Sequence, residues 1–159
     1  MAETPTRSQP DGDASAADLS PEVAWYLDSR GYLLEDWQRP LWRTAEPRDV
    51  DGAIFDPGAV DHVIDCLKLM RHTQGKWAGH SFTPDPWQVA YVIAPIFGWV
   101  REVDGKRLRI IRSAWVEVPR KNGKTTLAAG LGLYLAFADG ENGAQVIAAA
   151  GSKDQAMNA

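Results

Sequence analysis

Val118-Pro-Arg-Lys-Asn-Gly-Lys-Thr125 is the stretch that decides how this chain folds. It follows the apolar, β-like run Ala114-Trp-Val-Glu-Val118 and opens the helix-like run Leu127-Ala-Ala-Gly-Leu-Gly-Leu-Tyr-Leu-Ala-Phe137. Strand, Gly-Lys-Thr loop and helix are the setting that a phosphate-binding loop requires. A triphosphate concentrates negative charge, and backbone N–H groups at a helix N-terminus make a ready receptor for it. Gly123 allows close backbone approach with no Cβ in the way. Lys124 then meets the β- and γ-phosphates, and the Thr125 hydroxyl completes the oxygen shell of a Mg²⁺ ion. Arg120 and Lys121 add positive charge around Asn122. The full signature calls for Gly five residues before Gly123, and Val118 stands there, followed by Pro119. The competing reading is a basic surface turn at the end of a strand, which leaves Gly-Lys-Thr as coincidence.

Downstream, the run from Lys124 to about Ala138 is apolar almost all round and contains Gly130 and Gly132. Each glycine costs about 1 kcal/mol against Ala in a helix interior. Close packing against a sheet, as in a βαβ unit, would offset that cost. Asp139-Gly-Glu-Asn-Gly143 breaks the helix, and Gln145-Val-Ile-Ala-Ala-Ala150 reads as a second buried parallel strand. Glu117 is an awkward residue for a central strand and has no evident partner. Ser152 and Gln155 have capping-box spacing, so a further helix is expected there. The expected fold is α/β: a P-loop NTPase (RecA-like) parallel sheet, incomplete, with an N-terminal helical region and a β-hairpin before the loop.

Upstream, residues 1–19 are rich in Ala, Ser, Thr, Pro and Asp and are expected to be disordered. The remainder, 20–159, reads as one unit: a helical lead-in over 20–85 and a nucleotide-binding core over 86–159. Ser20-Pro21 opens a short helix ending near Arg30-Gly31. From there to Phe55 the chain carries Trp37 and Trp42 among prolines and charges, and short or irregular structure packed on the main domain is expected. Asp56-Pro57 starts a better helix, with Val60, Val63, Ile64, Leu67 and Met70 on one face as core. Asp85-Pro-Trp-Gln88 starts another, running to about Phe97, with Asp85 as N-cap and Gln88 reaching back. Gly98–Val103 and Lys106–Arg112 flank Asp104-Gly105, a hairpin signal. Trp99 and Trp115 read as packing anchors rather than base-stacking platforms.

Formal net charge is −4, from 17 Lys+Arg against 21 Asp+Glu, which argues against a free-standing DNA-binding module. A local basic surface remains possible around the loop, where Arg101, Lys106, Arg107, Arg109, Arg112, Arg120, Lys121 and Lys124 gather in sequence. The lone Cys66 excludes an internal disulfide and suits a reducing cytoplasm. His62 and Cys66 lie four apart on a predicted helix, but no third ligand completes a metal site. No apolar stretch reaches the roughly 20 residues that a membrane helix needs, and the acidic N-terminus is no secretory signal.

Taken together, the residues from near Phe55 onward resemble the large terminase subunit of tailed bacteriophages, an ATPase–nuclease that packages DNA. The markers are Leu69-Met-Arg-His72 with Gly75, Pro86-Trp-Gln88, Ile96-Phe-Gly-Trp99 and Asp104-Gly105. Val118-Pro-Arg-Lys-Asn-Gly-Lys-Thr-Thr126 and Ala150-Gly-Ser-Lys-Asp-Gln-Ala156 complete them. Terminases of this type commonly lack the first glycine of the loop, so Val118 fits. The resemblance implies ATP and Mg²⁺ as ligands, with Thr125 at the metal. It also implies Lys124 and Arg120 as the catalytic cations, and a site drawn from Trp87, Gln88 and the run Pro119–Thr126. Trp87-Gln88 would lie near the adenine, where a Gln amide can donate and accept. Capping of the helix remains the other role open to Gln88.

Implied partners are double-stranded phage DNA, the small terminase subunit, the portal protein and further copies of the same chain, in the host cytoplasm, with no membrane. Two other readings stay open: a different P-loop enzyme such as a helicase, and a non-enzymatic remnant. A working ATPase also needs an acidic strand for Mg²⁺ and a carboxylate that orients water. No such strand follows Ala150, nor do the family's nuclease carboxylates. The chain is therefore expected not to turn over ATP alone. Hydrolysis by purified 1–159 that Lys124→Ala abolishes would contradict this.

Overall fold

Ser20 and Asp56 set the first two helices by the same device. Ser20 Oγ accepts from Val23 N at 3.2 Å, and Pro21 begins α1 (Pro21–Ser29). Asp56 accepts from Gly58 N and Ala59 N, and Pro57 begins α2 (Pro57–Leu69). In each case a side-chain oxygen meets N–H groups that have no partner within the helix, and proline occupies the position that needs no donor. These are features of a computed structural model, which describes residues 19–73, 75–141, 143–147 and 149. The α1 face buries Val23, Tyr26 and Leu27, and the α2 stripe buries Val60, Val63, Ile64 and Leu67, as its spacing predicts. Asp61 joins the two helices by accepting from Tyr26 Oη at 2.7 Å and Arg30 Nη2 at 2.6 Å. The Arg30 contact holds the Asp61 carboxyl below its ordinary value, while burial pushes the Tyr26 phenol up.

Between these helices the chain makes two short 3-10 turns, Asp36–Gln38 and Pro47–Asp49. The segment is fastened by one carboxylate. Glu46 accepts from Ser20 N at 3.2 Å, Ser20 Oγ at 2.6 Å, Arg43 Nη2 at 2.5 Å and Trp99 Nε1 at 2.8 Å. Burying a charge is costly unless charged and hydrogen-bonded partners surround it, and here they do. Trp25, Trp37 and Trp42 stay exposed.

The third helical region is built in pieces. A capping box between Asp85 and Gln88 starts α3 (Pro86–Gln88), a π-turn follows over Val89–Ile93, and α4 (Ala94–Gly98) completes it. In the π-turn Ala94 N–H reaches back five residues to Val89 O. Pro95 comes next, a residue that has no N–H and crowds the carbonyl four before it in a regular helix. The wide turn lets the helical course continue through it. Val89, Ala90, Val92, Ile93, Ala94 and Phe97 form the centre of the core.

The sheet is antiparallel, in the order β1 (Ile54–Phe55), β2 (Trp99–Val103), β3 (Lys106–Arg109). Phe55 pairs with Trp99, and Val103 with Lys106. Asp104 and Gly105 both have positive φ, 53° and 74°, which suits the tight two-residue hairpin turn. Gly98 is needed at the entry to β2, because a Cβ there would lie 2.3 Å from Phe55 Cε2.

The last helix, α5 (Lys124–Phe137), buries Leu127, Gly130 and Tyr134. Its close approach differs from expectation. A Cβ on Gly130 would lie 2.7 Å from Leu67 Cδ2, so the glycine admits helix α2 rather than a sheet. Tyr134 stacks edge-on with His62 and Phe97, and its phenol is pushed up to about 12 by burial and then by nearby Asp139. Arg109 pairs with Asp139 and lies over the Phe97 ring, tying β3 to the end of α5.

The architecture is thus mixed α/β, and the parallel sheet is not seen among the described residues. Ala114–Val118 forms no strand, and Trp115 is 90% exposed, so Trp99 is an anchor and Trp115 is not. In the Gln145–Ala150 run no described residue is in a strand, and Ile147 is 85% exposed. The physical reason is that a strand exists through its ladder. β-Propensity reports fit to a neighbouring surface, and among the described residues neither run has a paired neighbour. Glu117 is exposed, so no buried partner is required of it. The N-terminal tail and the capping-box helix expected at Ser152–Gln155 lie outside the described residues.

Candidate phosphate-binding site

The loop between Val118 and Lys124 turns by way of two left-handed residues, Lys121 at φ 70° and Gly123 at φ 69°. Gly123 is the N-cap of α5, and its carbonyl accepts the first helical bond from Leu127 N at 2.9 Å. A glycine takes this conformation without the Cβ penalty of other residues. No side chain caps the helix and no acidic residue occupies its first turn. The unpartnered N–H groups at the start of α5, with the positive end of its dipole, therefore face outward from a helix of 14 residues. Lys124 Nζ donates to Val118 O at 3.1 Å, closing the loop across its mouth. Arg120, Lys121, Asn122, Thr125 and Thr126 are all exposed. Among the described residues neither Arg120 nor Lys121 has an ion-pair partner.

Gln88 comes to this loop from far away in sequence. It is 2% exposed, and its Oε1 accepts from Asp85 N at 2.9 Å, the capping contact read from the sequence. The other end of the same amide reaches the loop: a Cβ on Gly123 would lie 3.2 Å from Gln88 Nε2. Trp87 is half-buried and packs against the core. The structure thus brings Gln88, Gly123 and Lys124 together, while Arg120 stands exposed at the surface.

These donors suit an anionic phosphate chain: helix N-terminal N–H groups, a lysine, and the Thr125 hydroxyl as one oxygen ligand for a phosphate-bound Mg²⁺. Among the described residues no group of three or more His, Cys, Asp or Glu could hold a metal on its own. His62 Nε2 lies 3.2 Å from Ala138 O and serves the α2–α5 contact. Sequence reading passed over Glu46 and Asp61, because what marks them is a set of partners scattered along the chain. It also saw the cap at Gln88 and missed the approach of its amide to Gly123.

The motif falls within a match to a known family. The model of the terminase large subunit, ATPase domain, matches residues 86–158, from the start of α3 through the loop and α5. The resemblance read from the sequence is borne out over that segment, which is similar to the ATPase domain of the terminase large subunit. The earlier markers at Leu69–His72 and Gly75 fall outside the match. No curated protein and no solved structure matches the chain. Among the described residues, no helix is long and apolar enough to cross a membrane.

Proposed function

We propose that this chain supplies the ATP-binding part of a DNA-packaging motor. ATP binds with Mg²⁺ at Pro119–Thr126, its phosphates received by the first N–H groups of α5 and by Lys124. Thr125 holds the metal, Arg120 adds charge at the phosphates, and Trp87-Gln88 flanks the loop. Lys124 and Arg120 are the catalytic cations of this reading, because neutralising charge that develops on the phosphoryl oxygens is the main work of such a site. In the assembled motor, hydrolysis drives double-stranded DNA into a prohead, with the small terminase subunit, the portal and further copies as partners in the host cytoplasm.

One observation carries the reading: Gly123-Lys124-Thr125 opens an uncapped helix inside the segment that matches the terminase ATPase family. In the resting loop Lys124 is held by Val118 O, a neutral acceptor that a phosphate oxygen can replace with a stronger, charge-assisted bond. Calorimetric titration with ATP and Mg²⁺ tests the proposal. Lys124→Ala is expected to weaken binding at least tenfold, about 1.4 kcal/mol, with the helical signal unchanged because Lys124 is exposed. Undiminished binding by that variant would remove the loop from the site.

A further inference from the structure

The loop that joins α2 to α3 is closed by its own backbone. Phe82 N donates to Met70 O at 2.9 Å, His72 N to His80 O at 3.0 Å and Gly79 N to His72 O at 2.8 Å. Arg71 and Ser81 form an antiparallel bridge, and Arg71 Nη1 donates to Gly79 O at 2.9 Å. Phe82 pins the base of the loop: it is buried, lies against Gly130 of α5 and meets the His72 ring edge-on. Bonds rather than packing therefore hold the far end, which carries Lys76 and Trp77 into solvent. Trp77 is 56% exposed. Lys76 Nζ lies 5.1 Å from the centre of its ring, and His80 packs edge-on at 5.9 Å.

The charge around this indole has one sign. No Asp or Glu occurs between Asp65 and Asp85, a span that holds Lys68, Arg71 and Lys76 in a chain of net charge −4. Lys68 pairs with Asp65, but among the described residues Arg71 and Lys76 have no carboxylate partner. Other exposed tryptophans have acids at hand. Glu22 lines the same groove as Trp25, Trp37 follows Asp36, and Trp115 stands two residues before Glu117. Arg43, beside Trp42, is committed to Glu46. Phosphates would be repelled at those places and attracted at Trp77.

An open aromatic face among cations suits a strand whose bases stack on the ring while its phosphates meet the charges. A duplex keeps its bases stacked on one another, so the ring face fits unpaired nucleotides. We infer that the loop around Trp77 binds single-stranded nucleic acid. A base takes the place over the indole that Lys76 Nζ now holds, and the ammonium moves to a neighbouring phosphate. The inference goes beyond the packaging reading, whose DNA is double-stranded, and it stands without the phosphate loop.

Fluorescence anisotropy tests it, with the full chain, a labelled oligothymidylate and a labelled duplex of equal length at low salt. The wild type should bind the single strand about tenfold more tightly than the duplex, and Trp77→Ala should lose about tenfold on the single strand. Trp77→Phe, which keeps a ring, should recover part of that loss. Lys76→Ala should reduce the slope of log affinity against log salt by about 0.7. Both side chains are exposed, so these variants should unfold near the wild-type temperature. ATP binding by Trp77→Ala should match the wild type. A parallel loss on ATP would assign the ring to the base of the free nucleotide and overturn the inference. Equal affinity for duplex and single strand, with Trp77→Ala harmless, would overturn it too, since only unspecific attraction between charges would remain.

Discussion

The helical body and the flanks of the loop treat apolar residues in opposite ways. In α1, α2 and the 86–98 region, the positions that the helical period marks as core are buried, down to fully excluded Val23, Val60, Val63 and Val89. In the runs on either side of α5, Trp115, Val146 and Ile147 stand exposed, and so does Phe137 at the end of the helix itself. The two regions do not differ in hydrophobicity so much as in what their structure needs from elsewhere. A helix closes its own hydrogen bonds and has only to find one face of cover, whereas a strand has nothing until a neighbour supplies a ladder. The phosphate loop lies on the seam: its helix is anchored on α2 through Leu67 and Gly130, and its leading segment has no ladder among the described residues.

The sharpest way to stress the packed half is Leu67→Ala. Leu67 is fully buried and touches the place where Gly130 admits α5, so loss of its side chain opens a cavity between two helices. About 3 kcal/mol of destabilisation is expected, read from the urea midpoint. Gly98→Ala presses on the same half from the opposite direction, since the added methyl meets Phe55 at 2.3 Å and Val60 at 2.9 Å. An overpacked core of this kind costs about 1–3 kcal/mol, and a midpoint within a few tenths of wild type would contradict the close packing described.

Asp61→Asn should have a smaller effect, on the order of 1 kcal/mol. Its side chain and that of Arg30 are 37% and 36% exposed, so solvent screens the ion pair, and the bond from buried Tyr26 carries most of the loss. The effect has a pH signature. The Arg30 contact holds the folded Asp61 carboxyl below its ordinary value, so its contribution is complete above that ordinary value and is lost as pH falls through the lower folded one. The gap between wild type and variant should stay level from about pH 5 to 8 and close below about pH 4. Smallest of all, Trp115→Ser should move the midpoint by less than about 0.5 kcal/mol, because that indole touches little. A large loss there would place 114–118 in the packed half after all.

Local chemistry explains what the sequence made legible. Ser20, Asp56 and Asp85 announce helix starts by satisfying N–H groups within three residues, and Asp104-Gly105 announces its turn through positive φ. Gly123-Lys124-Thr125 was readable for the same reason. Ala114–Val118 and the run from Gln145 were read as strands from composition, which says that a segment would suit a ladder and not that one is present. Ile54–Phe55, only two residues long, gave no periodicity to read, yet it pairs with β2 because Phe55 packs on Trp99 at 5.5 Å between ring centres. The Glu46 cluster gathers donors from Ser20, Arg43 and Trp99, and no spacing rule connects those positions. Gln88 shows the limit within a single side chain: its cap was written locally, and its contact with Gly123 exists only once α3 and α5 share one core.

Amide hydrogen exchange across the loop, with and without ATP and Mg²⁺, tests the central claim most directly. The nucleotide should slow exchange at Gly123, Lys124, Thr125 and Thr126, whose N–H groups are the receptor, while the exposed run around Trp115 changes least. Saturating nucleotide that leaves those four amides unprotected, and protects a different surface, would contradict the assignment of the α5 N-terminus as the phosphate site.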